Sequence, residues 1–202
     1  MTEPRATDAT APTQDQLYTI GHSTLPIDTF MRALQEHRVQ VVVDVRSYPT
    51  SKRAPQFEAS SLKKSLKQQK IKYIFMGREL GGRPKELGFY DDTGRVLYSR
   101  LAESAKFRAG IARLRSGIPR YRVAVMCSEE DPEICHRALL IGRVLEQKGV
   151  TLLHIRGNGH VDTRKTESLA HHQLPIEEVG ESSWKSIRSV LRKDQLPTSS
   201  HR

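Results

Sequence analysis

The sequence predicts a single α/β domain of the three-layer, Rossmann-like kind, built on a mainly parallel sheet. Three observations predict it. Strand-like and helix-like hydrophobic patterns alternate along the chain. The stretch "VQVVVDV" (Val39–Val45) is nearly all apolar, as in a strand covered on both faces. The 202 residues suit one ordinary domain, and no internal repeat divides them. Repeated strand–helix–strand units imply crossover connections with helices on both faces of the sheet. The order of the strands is not contained in that pattern. The domain is expected over residues 17–193, between a disordered leader (1–16) and a disordered tail (194–202).

The elements follow in order. "LYTIG" (Leu17–Gly21) reads as a short strand. Ile27, Phe30, Met31 and Leu34 then recur at helical spacing, with Pro26 suited to a first turn. Val39–Val45 is the second strand. A helix is expected over about Ser60–Gln69, and "IKYIFM" (Ile71–Met76) is the third strand. The Gly-rich stretch "GRELGGRPKELGFYDDTGRVLYS" is longer than an ordinary connection, a length that usually marks a functional loop. Phe107, Ile111 and Leu114 share one face of a helix expected over Leu101–Arg115. "YRVAVMC" is a strand, "CHRALLIGRVLEQK" a helix ended by Gly149, and "VTLLHIR" a strand. The last piece, "ESSWKSIRSVLRK", reads as one amphipathic helix with Trp184, Ile187 and Leu191 inward.

Composition narrows the class. The formal net charge is +10, which favours anionic partners: a nucleotide, nucleic acid or a phosphorylated metabolite. Lys63, Lys64, Lys67 and Lys70 fit equally the solvated face of a helix. No apolar run approaches the twenty or so residues needed to span a bilayer, so no membrane partner is expected. The leader "MTEPRATDATAPTQDQ" lacks a signal peptide's cationic and apolar regions. A cytoplasmic location is therefore expected, where the two cysteines, Cys127 and Cys135, stay reduced. No oligomeric state is read from the sequence.

In open parallel sheets, ligands bind beyond the carboxyl ends of the strands. The five strand ends here deliver His22 and Ser23; Asp44 and Arg46; Arg78, Gly81 and Gly82; Cys127 with, across a short loop, Cys135, His136 and Arg137; and Arg156 and Asn158. Turns alone account for part of this, since they favour Gly, Ser and Asn. The arginines and histidines ask for more. A helix beginning near Cys135 would place that thiol at a helix N-terminus, where partial positive charge favours a thiolate. Cys127 could approach it across the loop, or be a small core residue. The four carboxylates in "SEEDPEI" would oppose a thiolate if turned inward, or cap the helix if turned away. Asp44 and Arg46, on one face by alternation, fit a base or ribose-binding acid beside an anion-binding arginine, or a structural ion pair. His22 fits a general acid/base, or a capping or core histidine. A zinc site would need further ligands, such as His136 with His22 or His160. The cysteine spacing matches no standard zinc pattern, so no metal is expected. His171 and His172 lie in a polar stretch without a specific role.

In this order, "YTIGHST", "VVVDVRSYPTS", "ELGGRP" and "CSEEDPEICHR" resemble the domain-of-unknown-function family 488, over about Leu17 to Gly159. The resemblance implies one α/β domain and the site residues above, and no reaction. There is a looser likeness to rhodanese-type sulfurtransferases, in "VVVDVRS" and in the cysteine loop, helix and following strand. The loop here is longer and acidic, and it puts a second cysteine at the helix start.

The leading expectation is a thiol-dependent transferase or hydrolase acting on a small anionic substrate. Cys135 would be the nucleophile or redox thiol with Cys127 beside it. His136 or His22 would be the acid/base, and Arg46, Arg137 and Arg78 would hold anionic oxygens. Ser23, Asp44, Gly81, Gly82, Arg156 and Asn158 complete the expected substrate site. The alternatives are a nucleotide- or nucleic-acid-binding module without catalysis, and a non-catalytic adaptor. No cofactor is expected, because "GNGH" and "LGG" do not form a dinucleotide-binding fingerprint.

Overall fold

The strands run at Gln16–Gly21 (β1), Val41–Asp44 (β2), Lys72–Phe75 (β3), Val123–Cys127 (β4), Thr151–Ile155 (β5) and Val161–Asp162 (β6). They form one sheet in the order β3-β2-β4-β1-β5-β6. All neighbours are parallel except β6, which closes the edge antiparallel to β5. This is a computed structural model, and it describes residues 15–163 and 184–191. The expected leader (apart from its last two residues), the tail, His171, His172 and the start of the last expected helix lie outside the described residues.

Alternation along the strands sorts the core into two layers. On one face Tyr18, Ile20, Val42, Ala124, Met126 and Ile155 pack against helices α1 (Ile27–Glu36) and α2 (Ala59–Gln68). On the other, Leu17, Val41, Val43, Val125, Cys127 and Leu152 pack against α3 (Gly77–Leu80), α4 (Tyr98–Glu103), α5 (Ala105–Gly117) and the helix after β4. The three-layer arrangement is thus the one expected, with β2 and β4 buried throughout. No helix among the described residues is long and apolar enough to cross a membrane.

Two expectations are corrected. The helix over Leu101–Arg115 is two helices, parted at Ser104. That residue is extended (φ −60°, ψ 138°), and its hydroxyl accepts the Phe107 N–H at 3.2 Å. Serine competes with the helical backbone and is worth more as a cap than in a helix interior. The long Gly-rich stretch opens with the single turn α3, holds a short 3-10 turn at Leu87–Phe89 and ends inside α4. Finally, Trp184–Leu191 is not helical. Its backbone is held from outside, by Ser186 N–H to Val96, Tyr98 N–H to Trp184 and Val190 N–H to Gly94, so long-range bonds replace the i→i−4 ladder. Trp184 is buried as expected and donates its indole N–H to the Leu139 carbonyl at 2.9 Å, whereas Ile187 is 47% exposed.

Candidate active site between two diverging strand ends

The chain leaves β2 for β3 through α2 on one face of the sheet. It leaves β4 for β5 through the helix on the opposite face, in the opposite direction. Two neighbouring strands whose connections diverge leave a crevice at their carboxyl ends. Here that crevice is a cleft of about 460 Å³. Arg46, Ser47 and Tyr48 enter it from β2, and Cys127, Ser128, Cys135 and His136 from the β4 loop. Gly82 and Arg83, Tyr98, and Ser186–Val190 complete the wall.

Cys127 ends β4. Cys135 has extended backbone (φ −111°, ψ 137°), and its carbonyl accepts the N–H groups of Ala138 and Leu139. It therefore stands just before the first helical turn, one step outside the helix expected to begin with it. That helix starts as a wide π turn, Arg137–Gly142, and continues as α6 (Arg143–Glu146). Such π turns are uncommon and tend to mark functional sites.

The His136 ring meets both sulfurs. Its Nδ1 lies 3.7 Å from Cys127 Sγ and 3.9 Å from Cys135 Sγ, while Nε2 lies 3.2 Å from the Val45 carbonyl oxygen. A carbonyl only accepts, so Nε2 carries a hydrogen, and Nδ1 is the nitrogen that faces the thiols. Gly82 packs against the same ring; a Cβ there would fall 2.6 Å from His136 Cγ, so only glycine lets the loop come this close. The two thiols, both free, differ in acidity. Burial pushes Cys135 up, but the hydrogen bonds from Cys127 and His136 and the charges of His136 and Arg137 outweigh it and bring the thiol down. Cys127 is pushed up by its hydrogen bond to Cys135 and by burial.

At the floor of the cleft, Arg46 forms a buried ion pair with Asp44, which does not line it. Arg46 Nη2 lies 2.6 Å from Asp44 Oδ2, and Nε and the backbone N–H donate to the same carboxylate. The Tyr73 hydroxyl donates to Asp44 at 2.8 Å, and Arg46 Nη1 donates to the Phe57 carbonyl at 2.9 Å. Of the two readings open for these residues, this geometry is the structural one. His22 is buried and stacks on Phe57 with ring centroids 4.4 Å apart. Its Nδ1–H donates to the Ser23 carbonyl, leaving Nε2 to accept from Arg46 Nη1 at 3.2 Å. Burial lowers its pKa to about 4, so it is neutral at ordinary pH.

Arg137, 1% exposed, is turned away from the cleft. Its guanidinium donates to the carbonyls of Glu129 and Glu130 and ties the acidic loop to the helix. Among that loop's acids, Glu130 pairs with Arg156 at 2.9 Å, and Asp131 accepts the Glu133 N–H at 2.9 Å. Glu130 is thus spent on the turn after β5 and Asp131 on the loop's own backbone, where it caps a short turn before Cys135, not the helix, while Glu129 borders the cleft.

Of the residues expected in the site, the fold gathers Cys127, Cys135, His136, Arg46 and Gly82 in one cleft. Gly81 lies beside it, under Ser47, whose hydroxyl accepts the Arg83 N–H at 2.9 Å. Ser23 is exposed, with left-handed backbone (φ 41°), and its N–H donates to the Ser128 carbonyl. Arg78 is exposed on α3, and Asn158 accepts the His160 N–H in the turn after β5. Asp44, Arg137, His22, Arg78, Arg156 and Asn158 do not line the cleft. Sequence reasoning passed over Ser47, Tyr48, Arg83, Tyr98, Ser128 and Arg188. Ser47 and Tyr48 directly follow Arg46, Arg83 directly follows Gly82, and Ser128 directly follows Cys127. Tyr98 and Arg188 gave no signal, the latter because its segment read as a helix.

The family model described as "Domain of unknown function DUF488" matches residues 26–144, more than half of the chain and all three residues of the thiol–imidazole cluster. No curated protein and no solved structure matches the chain, so the rhodanese likeness gains no support.

Proposed function

The chain belongs to the DUF488 family, whose description assigns no chemistry, and we propose that its cleft carries out group transfer from a small anionic sulfur- or phosphorus-containing substrate through the Cys135 sulfur. The observation that carries this reading is the His136 ring, oriented by the Val45 carbonyl so that Nδ1 faces both sulfurs. A thiol beside an imidazole whose other nitrogen is held by a third group is the general pattern of an activated nucleophile.

In the proposed step, His136 Nδ1 takes the Cys135 proton and the thiolate attacks the substrate's sulfur or phosphorus. A bond from Cys135 Sγ to that atom forms. The bond to the leaving group breaks, its electron pair departs with the leaving group, and His136 returns the proton to it. A phosphoryl group on Cys135 then passes to water, whereas a sulfane sulfur passes to a thiolate or cyanide that attacks it; in either case the Cys135 sulfur leaves as thiolate and regains its proton. Cys127 donates a hydrogen bond to the thiolate. The role expected of Arg137 and Arg78 falls to Arg83 and Arg188, exposed side chains that line the cleft. Arg46 and His22 position the β2 end rather than touch substrate.

The test is turnover of thiosulfate with cyanide as acceptor, and of an aryl phosphate, by the wild type and by Cys135→Ser. The variant should keep its circular dichroism spectrum and lose on the order of 10³-fold or more in rate. Wild-type turnover by the folded variant refutes the reading.

A second reading has one observation in its favour. Tyr48 is 59% exposed and borders a second hollow, shared with Arg83, Lys85 and Tyr90. A ring flanked by cations suits a stacked base beside a phosphate. A nucleotide-binding module of that kind would lose affinity steeply with salt and be indifferent to thiol alkylation.

A further inference from the structure

From the same cluster we infer that the protein holds a zinc-type divalent ion, bound by Cys127 Sγ, Cys135 Sγ and His136 Nδ1 with its fourth position open to the cleft. These three atoms all lie within 4.8 Å of one another. Tetrahedral bonds of about 2.3 Å to sulfur and about 2.0–2.1 Å to nitrogen place ligand sulfur and nitrogen about 3.5 Å apart. The observed nitrogen–sulfur separations are 3.7 and 3.9 Å, within a few tenths of an ångström of that spacing.

The surroundings fit as well. The ligands come from the end of β4 and from the junction where the next helix begins, two positions fixed by the core. Nε2–H of His136 donates to the Val45 carbonyl, the outer bond that a metal-bound histidine usually makes and that leaves Nδ1 free to bind. Two thiolates and a neutral imidazole balance the charge of a divalent ion in a buried site. Of the carboxylates that would favour calcium or magnesium, Glu130 and Asp131 are bound to Arg156 and to the loop backbone, and Glu129, which borders the cleft, is not part of the cluster. Three protein ligands with one open side is the form of a reactive zinc site rather than a closed structural one. Neither His22 nor His160 belongs to the cluster. The chain spacing alone hides the site, because its ligands meet only when the eight-residue step from Cys127 to Cys135 folds back.

The ion and the transfer chemistry draw on the same sulfurs and exclude each other in time. Zinc loading is therefore expected to abolish Cys135-dependent turnover and to protect both thiols from alkylation.

The test uses the full, untagged, reduced chain titrated with Co²⁺ and then with Zn²⁺. One equivalent of Co²⁺ should raise a sulfur-to-cobalt charge-transfer band and the intense visible bands of a tetrahedral ion, and Zn²⁺ should displace both. Cys127→Ser and His136→Ala should each weaken Zn²⁺ binding on the order of 100-fold or more, measured against a chromophoric chelator. No charge-transfer band in the folded wild type, or a band unchanged in Cys127→Ser, overturns the inference. A band from the loaded chain with no Cys135-dependent turnover by the metal-free chain refutes the transfer reading alone; turnover by the metal-free chain without a band on loading refutes the ion site alone.

Discussion

At the scale of single residues, the Asp44–Arg46 pair is where sequence and structure meet most sharply. Alternation places both on one face, and they are; it does not say whether the carboxylate looks into the cleft or under it. The structure turns Asp44 inward, where it accepts from Arg46 and Tyr73. Asp44→Asn would leave the guanidinium of Arg46, 3% exposed, without its counter-charge. The expected cost is about 3–5 kcal/mol, read as a lowered urea midpoint. A loss under about 1 kcal/mol, the worth of an exposed pair, would show the pair to be far better solvated than it is here. Cys135 and His136 were legible as candidates for a site because reactive residue types sat beside a strand end. The role of Arg137 was not. Its neighbours in sequence suggested an anion binder, but its N–H groups are consumed by the carbonyls of Glu129 and Glu130.

The elements themselves were read well where periodicity was long and less well where a single residue decides. Ser104 interrupts an apolar pattern that carries on across it, so the break between α4 and α5 was invisible to periodicity but follows from the cap. Gly149, in contrast, announces its turn. It closes the helix after β4 with left-handed backbone (φ 82°), its N–H bonded to the Glu146 carbonyl at 2.9 Å, and a Cβ there would meet nothing within 4 Å. Gly149→Ala should therefore cost only the left-handed conformation, about 1 kcal/mol. Because it precedes β5 at the end of the sheet away from the cleft, Cys135 alkylation should be unchanged. Denaturant titration beside an alkylation time course checks both, and a change in thiol reactivity would mean that the two ends of the sheet are coupled. The last segment was misread because Trp184, Ile187 and Leu191 mimic a helical stripe, while the bonds that hold the backbone come from residues some ninety positions earlier.

At the scale of the whole molecule, pH links stability to two buried histidines. His22 and His154 each have their pKa lowered by burial from 6.5 to about 4. In the window between those values the unfolded chain binds more protons than the folded one. Stability is therefore complete above about pH 6.5 and declines as pH falls toward about 4, by up to about 3 kcal/mol for each group. Urea midpoints from pH 7.5 to 4.5 should fall steadily, and His154→Gln, which can still meet the Thr19 hydroxyl that lies 2.7 Å from His154 Nδ1, should flatten the slope by roughly half. A midpoint independent of pH would mean that both rings titrate in the fold as they do in the unfolded chain.

The sequence by itself determined the α/β class, the parallel sheet, most element positions and the edge at which reactive groups collect. These rest on hydrophobic period and on residue chemistry, which are local properties. Only the tertiary structure decided that β4 inserts between β1 and β2. That insertion sets Val45 beside Cys127 and opens the crevice where two connections diverge. It also decided which arginines are clamps and which face the cleft, and that two thiols and one imidazole nitrogen converge. Each of these depends on contacts between residues far apart in the chain, whose pairing no local pattern encodes.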